Sequence, residues 1–243
     1  TRKDIIELLK EKNIKLASMS GIHGEPIAEH EMGFIINFSR KLYRFFEEQK
    51  KGKWTKLGVG QLAGKTLIVI GTGSIGQEIA RKAQAFDMKT IGVKRNIEHK
   101  IKYIDELYSH DKLLEVLKWG DYVVVTVPLT AETEGMFGKK EFNAMKKTAF
   151  FVNIARGKVV VEKDMIEALK NGIIAGAGLD VFEEEPLPSR SPLYMLDNVY
   201  ITPHISGLYP DYNIKATNLF IENLKRYING KEMINIIDYK KGY

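Results

Sequence analysis

A doubly wound parallel α/β sheet is the fold class that this 243-residue sequence predicts, and two observations predict it. The first is Thr66-Leu67-Ile68-Val69-Ile70, a continuous apolar, β-branched run of the kind that forms a strand buried on both faces. The second is the alternation that follows, in which strand-length apolar runs are separated by stretches of helical spacing; such alternation winds helices onto both faces of one sheet.

The elements follow in order. Glu25-Pro26 opens a helix expected over residues 27–50, closed by Gly52-Lys53-Trp54. After the first strand, Ile79, Ala80, Ala83 and Phe86 recur at helical spacing within 77–86, and 89–93 reads as a second strand. Residues 112–119 are expected to be helical, 121–127 a buried strand ending at Pro128, 141–145 a short helix and 149–154 the next strand. A helix over 163–170 is stopped by Asn171-Gly172, and 175–181 is a further strand.

Composition bounds the function. With 44% hydrophobic and 28% charged residues, the chain can bury a sizeable core, as one large domain or two unequal ones. It has no cysteine, which excludes disulfides and thiolate chemistry. No apolar run approaches the ~20 residues needed to span a bilayer and no signal-peptide pattern opens the chain, so a cytoplasmic protein without a membrane partner is expected. The net charge of +6 is spread among interspersed lysines and glutamates. That pattern does not indicate a nucleic-acid partner, and a polyphosphate cofactor suits a basic surface equally well. No spacing of His, Asp and Glu suggests a metal site.

The first strand runs into Gly71-Thr72-Gly73-Ser74-Ile75-Gly76, and a helix follows. In that context Gly71 allows a tight turn, Gly73 lets a pyrophosphate approach the backbone, and Gly76 permits close packing of helix on strand. These six residues are the expected dinucleotide loop. NAD-preferring sites carry an acidic residue about 20 positions beyond the loop, to bind the ribose 2′-hydroxyl. Here Lys94-Arg95-Asn96 begins 18 residues after Gly76. Two cations and an amide would neutralise and bind a 2′-phosphate, so NADP is favoured over NAD; the plainer reading is a solvated basic turn.

Three downstream segments carry an arginine, a glutamate before proline and a histidine: Asn153-Ile154-Ala155-Arg156-Gly157, Asp180 to Pro186, and Thr202-Pro203-His204. An arginine holds a carboxylate with two parallel hydrogen bonds, and a histidine moves the proton that accompanies hydride transfer. A neighbouring glutamate raises histidine basicity and fixes its tautomer. Each residue also has a duller reading: Arg156 as a surface ion pair, Glu185 in a solvated run with Glu183 and Glu184, His204 as a packed core histidine. Arg156, Asp180 and Pro128 are all expected just beyond carboxyl ends of strands, where ligands bind in such sheets. The remaining histidines, His23, His30, His99 and His110, read as structural or exposed.

Over residues 14–238 the sequence resembles the D-isomer-specific 2-hydroxyacid dehydrogenases, the family of glyoxylate, hydroxypyruvate and phosphoglycerate reductases. The resemblance is carried by Leu62-Ala63-Gly64-Lys65-Thr66, Pro128-Leu129-Thr130 with Thr133, Met145-Lys146, the 153–157 segment, Gly178-Leu179-Asp180-Val181-Phe182, Glu185-Pro186 and Thr202-Pro203-His204-Ile205. It implies a Rossmann-type dinucleotide-binding domain over 21–207, with 1–20 and 208–243 as the remnant of a substrate-binding domain whose beginning is missing. It also implies that Arg156 binds a small 2-oxo or 2-hydroxy acid, that Glu185 pairs with His204, and that His204 protonates the carbonyl oxygen. Asp180 is implied to hold the nicotinamide carboxamide, with Val127, Pro128, Thr133, Ile154, Ala155, Arg156 and His204 completing the NADP or NAD site. The helix over 27–50 is implied to pack against its two-fold mate in a homodimer, Met32, Phe34, Ile35, Phe38, Leu42 and Phe45 offering more apolar surface than one lobe uses. An alternative reading on the same fold is a dinucleotide-sensing assembly partner with little turnover, as in the corepressors that resemble these enzymes.

Overall fold

Among the described residues, 3–239, the computed structural model has seven strands: β1 (Thr66–Ile70), β2 (Lys89–Lys94), β3 (Glu106–Ser109), β4 (Tyr122–Val125), β5 (Phe150–Asn153), β6 (Gly176–Leu179) and β7 (Val199–Ile201). They form one sheet in the order β3-β2-β1-β4-β5-β6-β7, and every pair is parallel. The order reverses between β1 and β4, which makes the carboxyl ends of those strands the switch point where a crevice opens. The helices are α1 (Lys3–Glu11), α2 (Gly24–Arg40), α3 (Leu42–Lys50), α4 (Ser74–Gln84), α5 (Leu113–Val116), α6 (Lys139–Ala144), α7 (Glu162–Lys170) and α8 (Tyr212–Ile228).

The central strands β1, β4 and β5 are largely apolar because both faces are covered. Ile68, Ile70, Val123, Val125 and Phe151 point to a core closed by α5, α6 and α7, while their neighbours Leu67, Val69, Tyr122, Val124 and Phe150 point to a second core closed by α2 and α4. The period of two thus divides each run between two cores. In β6 the face toward α2 is glycine: a Cβ at Gly178 would lie 2.7 Å from Phe34 Cγ, so the ring of Phe34 rests on bare backbone.

Two compact units result, Gly24–Gly207 and a smaller one of the described residues up to His23 and from Leu208 onward. Within the smaller unit, Ala17 and Ile236 form an antiparallel bridge, His23 stacks on Tyr212 at 5.3 Å, and the Asn223 side chain both donates to and accepts from the backbone of Ile234.

Several expectations are corrected. The single helix expected over 27–50 is two helices, broken at Lys41, whose φ of 54° is left-handed. Asn37 Oδ1 accepts from the Tyr43 N–H at 3.0 Å, so a side chain replaces the interrupted backbone ladder. Met32, Phe34 and Ile35 are buried in the unit's own core, so they do not supply the surplus apolar surface assigned to them. The 112–119 helix is one α turn flanked by 3₁₀ turns. The strand expected over 121–127 ends at Val125, and β3 and β7, additional to the expected strands, are half-buried at the sheet edges, β3 with polar residues at both ends and β7 only three residues long.

Candidate active site

The glycine loop joins β1 to α4 at the switch point. Gly71 has φ +98°, and a Cβ there would meet Val127 Cγ1 at 2.9 Å; one at Gly76 would lie 2.1 Å from the Gly71 carbonyl oxygen. Only bare backbone fits at either place. A Cβ at Gly73 would meet nothing within 4 Å, so the loop is open on the side where a phosphate would approach. The first N–H groups of α4, from Ser74, Ile75 and Gly76, have no intrahelical acceptor and add the positive end of the helix dipole. This cradle fits a dinucleotide pyrophosphate. Thr72 is buried, its methyl against the Gly92 position and its hydroxyl without a hydrogen-bond partner.

The basic turn lies beside that loop, because the Gly71 N–H donates to Val93 O and Lys94 is the next residue. Lys94 is half-buried at the end of β2 and makes no ion pair among the described residues. Arg95 is ion-paired with Glu132, and Asn96 closes on Glu98, accepting from its N–H at 2.9 Å. Of the three, Lys94 has the most freedom to meet a new anion. Pro128 and Leu129 are exposed after β4, and Thr133 Oγ1 closes their turn by donating to Pro128 O at 2.6 Å and accepting from the Thr130 N–H at 2.8 Å.

After β5, Ile154 and Ala155 are buried and Arg156 emerges exposed, its guanidinium donating to Ala155 O at 2.6 Å. The turn is braced by Asn153, which accepts from the Ala155 N–H and donates to Arg156 O, each at 3.1 Å. A Cβ at Gly157 would lie 1.9 Å from the Phe182 carbonyl group, so the Arg156 turn packs directly on the loop that carries Glu185.

Glu185 and His204 meet there. His204 Nδ1 donates to Glu185 Oε2 at 2.7 Å, and the Phe182 N–H donates to Oε1 at 3.0 Å. A carboxylate only accepts, so the Nδ1 proton is fixed and Nε2 is the nitrogen left for chemistry. Burial pushes the Glu185 carboxyl up, and the hydrogen bonds from His204 and Phe182 outweigh it, leaving the group below the usual carboxylate range. His204 itself has φ +55°, a left-handed conformation that costs a β-carbon residue about 1–2 kcal/mol.

Asp180 holds that turn. The fully buried carboxylate accepts from the Ile205 N–H and the Ser206 N–H, each at 2.9 Å, and from the Thr202 hydroxyl at 2.5 Å. Burial pushes it up, but Ser206, Thr202 and the two amides outweigh burial and keep it ionised. Hydrogen bonds to a charged group contribute about 1.5–3 kcal/mol each, enough to hold His204 in its left-handed conformation. His30 on α2 lies 2.9 Å through Nε2 from Thr202 Oγ1, and burial, partly opposed by Asp180, lowers its pKa. In the sequence Asn153 and Thr202 stand only as members of motifs and His30 reads as structural or exposed; the structure ties all three by hydrogen bonds to the turns that carry Arg156 and His204. Asn153 left one signal, a lone polar residue ending a buried strand. His23 is partly buried in the smaller unit, His99 and His110 are exposed, and no group of three His, Cys, Asp or Glu among the described residues is placed to hold a metal.

A glycine turn feeding a helix N-terminus at the switch point, with a histidine paired to a glutamate in the turn after the edge strand β7, fits the class of nicotinamide-dependent oxidoreductases. The comparisons with known proteins agree. The chain belongs to the D-isomer specific 2-hydroxyacid dehydrogenase family, whose NAD binding domain model matches residues 32–206. It is 36% identical over 236 residues to the glyoxylate reductase of Pyrococcus furiosus, covering 93% of this chain and 69% of that one. It is 35% identical to the D-3-phosphoglycerate dehydrogenase of Methanocaldococcus jannaschii, covering 96% of this chain but 45% of the relative, so the chain spans under half of that protein. The structure of an NADPH-dependent glyoxylate/hydroxypyruvate reductase from Sinorhizobium meliloti, in complex with NADP and sulfate, matches with a TM-score of 0.88 at 28% identity, over 98% of this chain and 76% of that one.

Proposed function

We propose that this chain carries the dinucleotide-binding and catalytic residues of an NADP-favouring D-2-hydroxyacid dehydrogenase that reduces a small 2-oxo acid of the glyoxylate or hydroxypyruvate type. The observation that carries the reading is the Glu185–His204 pair at 2.7 Å, held by Asp180. A reduced nicotinamide bound at this site supplies the hydride. Glu185 holds the His204 proton on Nδ1 and stabilises the imidazolium, whose Nε2–H delivers a proton to the carbonyl oxygen. Arg156 binds the substrate carboxylate through its guanidinium fork. Asp180, buried and filled by three donors, would hold the Ile205–Ser206 turn, and with it His204, beside the nicotinamide carboxamide. Gly71 to Gly76 would hold the pyrophosphate, Val127, Pro128, Thr133, Ile154 and Ala155 would complete the dinucleotide site, and Lys94, assisted by Arg95 and Asn96, would meet the 2′-phosphate. The described residues up to His23 and from Leu208 onward are read as part of the substrate-binding domain.

We further propose a homodimer. Its support is a cleft of about 840 Å³ between α3 and the arm that follows, lined by Phe45, Glu48, Trp54, Leu57 and Val59, with Trp54 96% exposed. The relatives named above are reductases and a dehydrogenase by description, and none favours an assembly partner without turnover. A panel of 2-oxo acids run with NADH and NADPH tests the reading: turnover of glyoxylate or hydroxypyruvate, faster with NADPH, is expected. Tight dinucleotide binding with no turnover of any member would overturn it.

A further inference from the structure

We propose that His30 is a positioning residue for this site, acting through Thr202 on Asp180. The inference rests on the reading of the turn that Asp180 holds, with His204 on it, as the nicotinamide end of the site. Asp180 is ionised and can only accept, so the Thr202 hydroxyl, 2.5 Å away, spends its single proton on Asp180 Oδ1. The same oxygen of Thr202 lies 2.9 Å from His30 Nε2, and with its proton committed it can only accept there. His30 is therefore the donor. Its neutral tautomer is fixed with the proton on Nε2 and none on Nδ1. At 4.0 Å from Asp180 Oδ1, the imidazole is too distant for a direct hydrogen bond, so its influence passes through Thr202.

The ring that donates is itself held. His30 meets Phe34 edge-on at 4.8 Å, and Phe34 sits against the bare backbone of Gly178, two residues before Asp180. One packed assembly thus spans α2, β6 and the turn after β7. Without the His30 donor the Thr202 hydroxyl can rotate away, and Oδ1 of Asp180 loses one of its two donors. The carboxylate would then be free to swing from the orientation in which it holds the Ile205 and Ser206 amides, and the turn that presents His204 to the nicotinamide end would loosen. The cost falls on the nicotinamide end of the cofactor and leaves the adenosine end untouched.

The experiment has two arms. In the first, imidazole ¹⁵N–¹H spectra of the wild-type chain read the His30 tautomer, and a proton on Nε2 is expected. A proton on Nδ1 overturns the relay whatever the chain's activity proves to be. In the second arm, His30→Phe keeps a ring against Phe34 but removes the donor. It should weaken NADPH binding roughly 3- to 10-fold, the worth of one neutral hydrogen bond, and leave unchanged the binding of 2′-phospho-ADP-ribose, which lacks the nicotinamide. His30→Gln, with an amide N–H at similar reach, should recover most of the loss. Adding His30→Phe to Thr202→Val should cost nothing further, since one relay is broken once. Wild-type NADPH affinity in His30→Phe, equal losses for both ligands, or additive losses in the double variant would each overturn the proposal. Failure of the wild type to bind any dinucleotide would overturn the dehydrogenase reading instead, with the tautomer still deciding the relay.

Discussion

Glu31 on α2 is fully buried, and neither carboxylate oxygen has a hydrogen-bond partner. Burial raises its pKa well above 4.5, so the folded protein keeps a proton that the unfolded chain releases. Stability from this group is therefore greatest below about pH 4.5 and falls as pH rises through the folded pKa, at about 1.4 kcal/mol per pH unit. Glu31→Gln should flatten that part of the stability profile. Glu31→Met, which fills similar volume without a polar group, should raise stability at pH 7 by about 1–3 kcal/mol. Urea unfolding at pH 5 and pH 7 measures both, and equal pH slopes in wild type and Glu31→Gln would remove the argument. Arg156, Glu185 and His204, proposed above for catalysis, are exposed by contrast, and their loss should appear in rate, not stability. His204→Ala is expected to lower turnover by roughly 10²–10⁴ with dinucleotide affinity nearly intact, whereas Arg156→Ala should act mainly on the KM for the oxo acid. Single-turnover kinetics separate the two, and wild-type turnover in His204→Ala would refute its assignment.

At the scale of elements, the proposed preference for NADP rests on the turn that ends β2. Val93 O fixes that turn beside the glycine loop, and Lys94 is the residue there with no ion pair among the described residues, while Arg95 is shared with exposed Glu132. An exposed pair of this kind contributes about 0–1 kcal/mol, so it does not bar Arg95 from a phosphate. Replacing Lys94 by Asp and Arg95 by Ser removes two charge-assisted contacts and adds a repulsion. The ratio of kcat/KM for NADPH over NADH should fall by about two decades, and an unchanged ratio would show that both side chains serve only solvent. This turn was legible in the sequence because its chemistry is contiguous, as was that of the glycine loop and the residues around Arg156, Glu185 and His204. The contact of His30 was not legible: its partner Thr202 is 172 residues away, and only the packing of α2 on the sheet joins them. The break at Lys41 was hidden for a related reason. No glycine or proline marks it, and the Asn37 side chain that permits it looks like any polar residue on a helix.

For the whole molecule, the buried positions of Met32, Phe34 and Ile35 move the case for a dimer from α2 to α3 and the arm after it. There Trp54, 96% exposed, lines a cleft with Phe45, Leu57 and Val59, and Leu42 and Phe46 are exposed elsewhere on α3. Large aromatic side chains left in water beside such a cleft are what an interface core requires. A two-fold contact would use each of them twice, once from each copy, so a single substitution is felt doubly. If Trp54 is an anchor worth about 2 kcal/mol per copy, Trp54→Glu weakens association by about 4 kcal/mol, close to a thousandfold in Kd. Light scattering at micromolar protein should accordingly give a dimer mass for the wild type and a monomer mass for Trp54→Glu, with its far-ultraviolet circular dichroism unchanged. Trp119, 37% exposed, remains as the reference fluorophore in that variant, so dilution of the wild type should red-shift only the Trp54 component as the dimer parts. A wild-type chain that is monomeric throughout, with Trp54 already emitting as a fully hydrated indole, would show that this cleft is not an interface between copies.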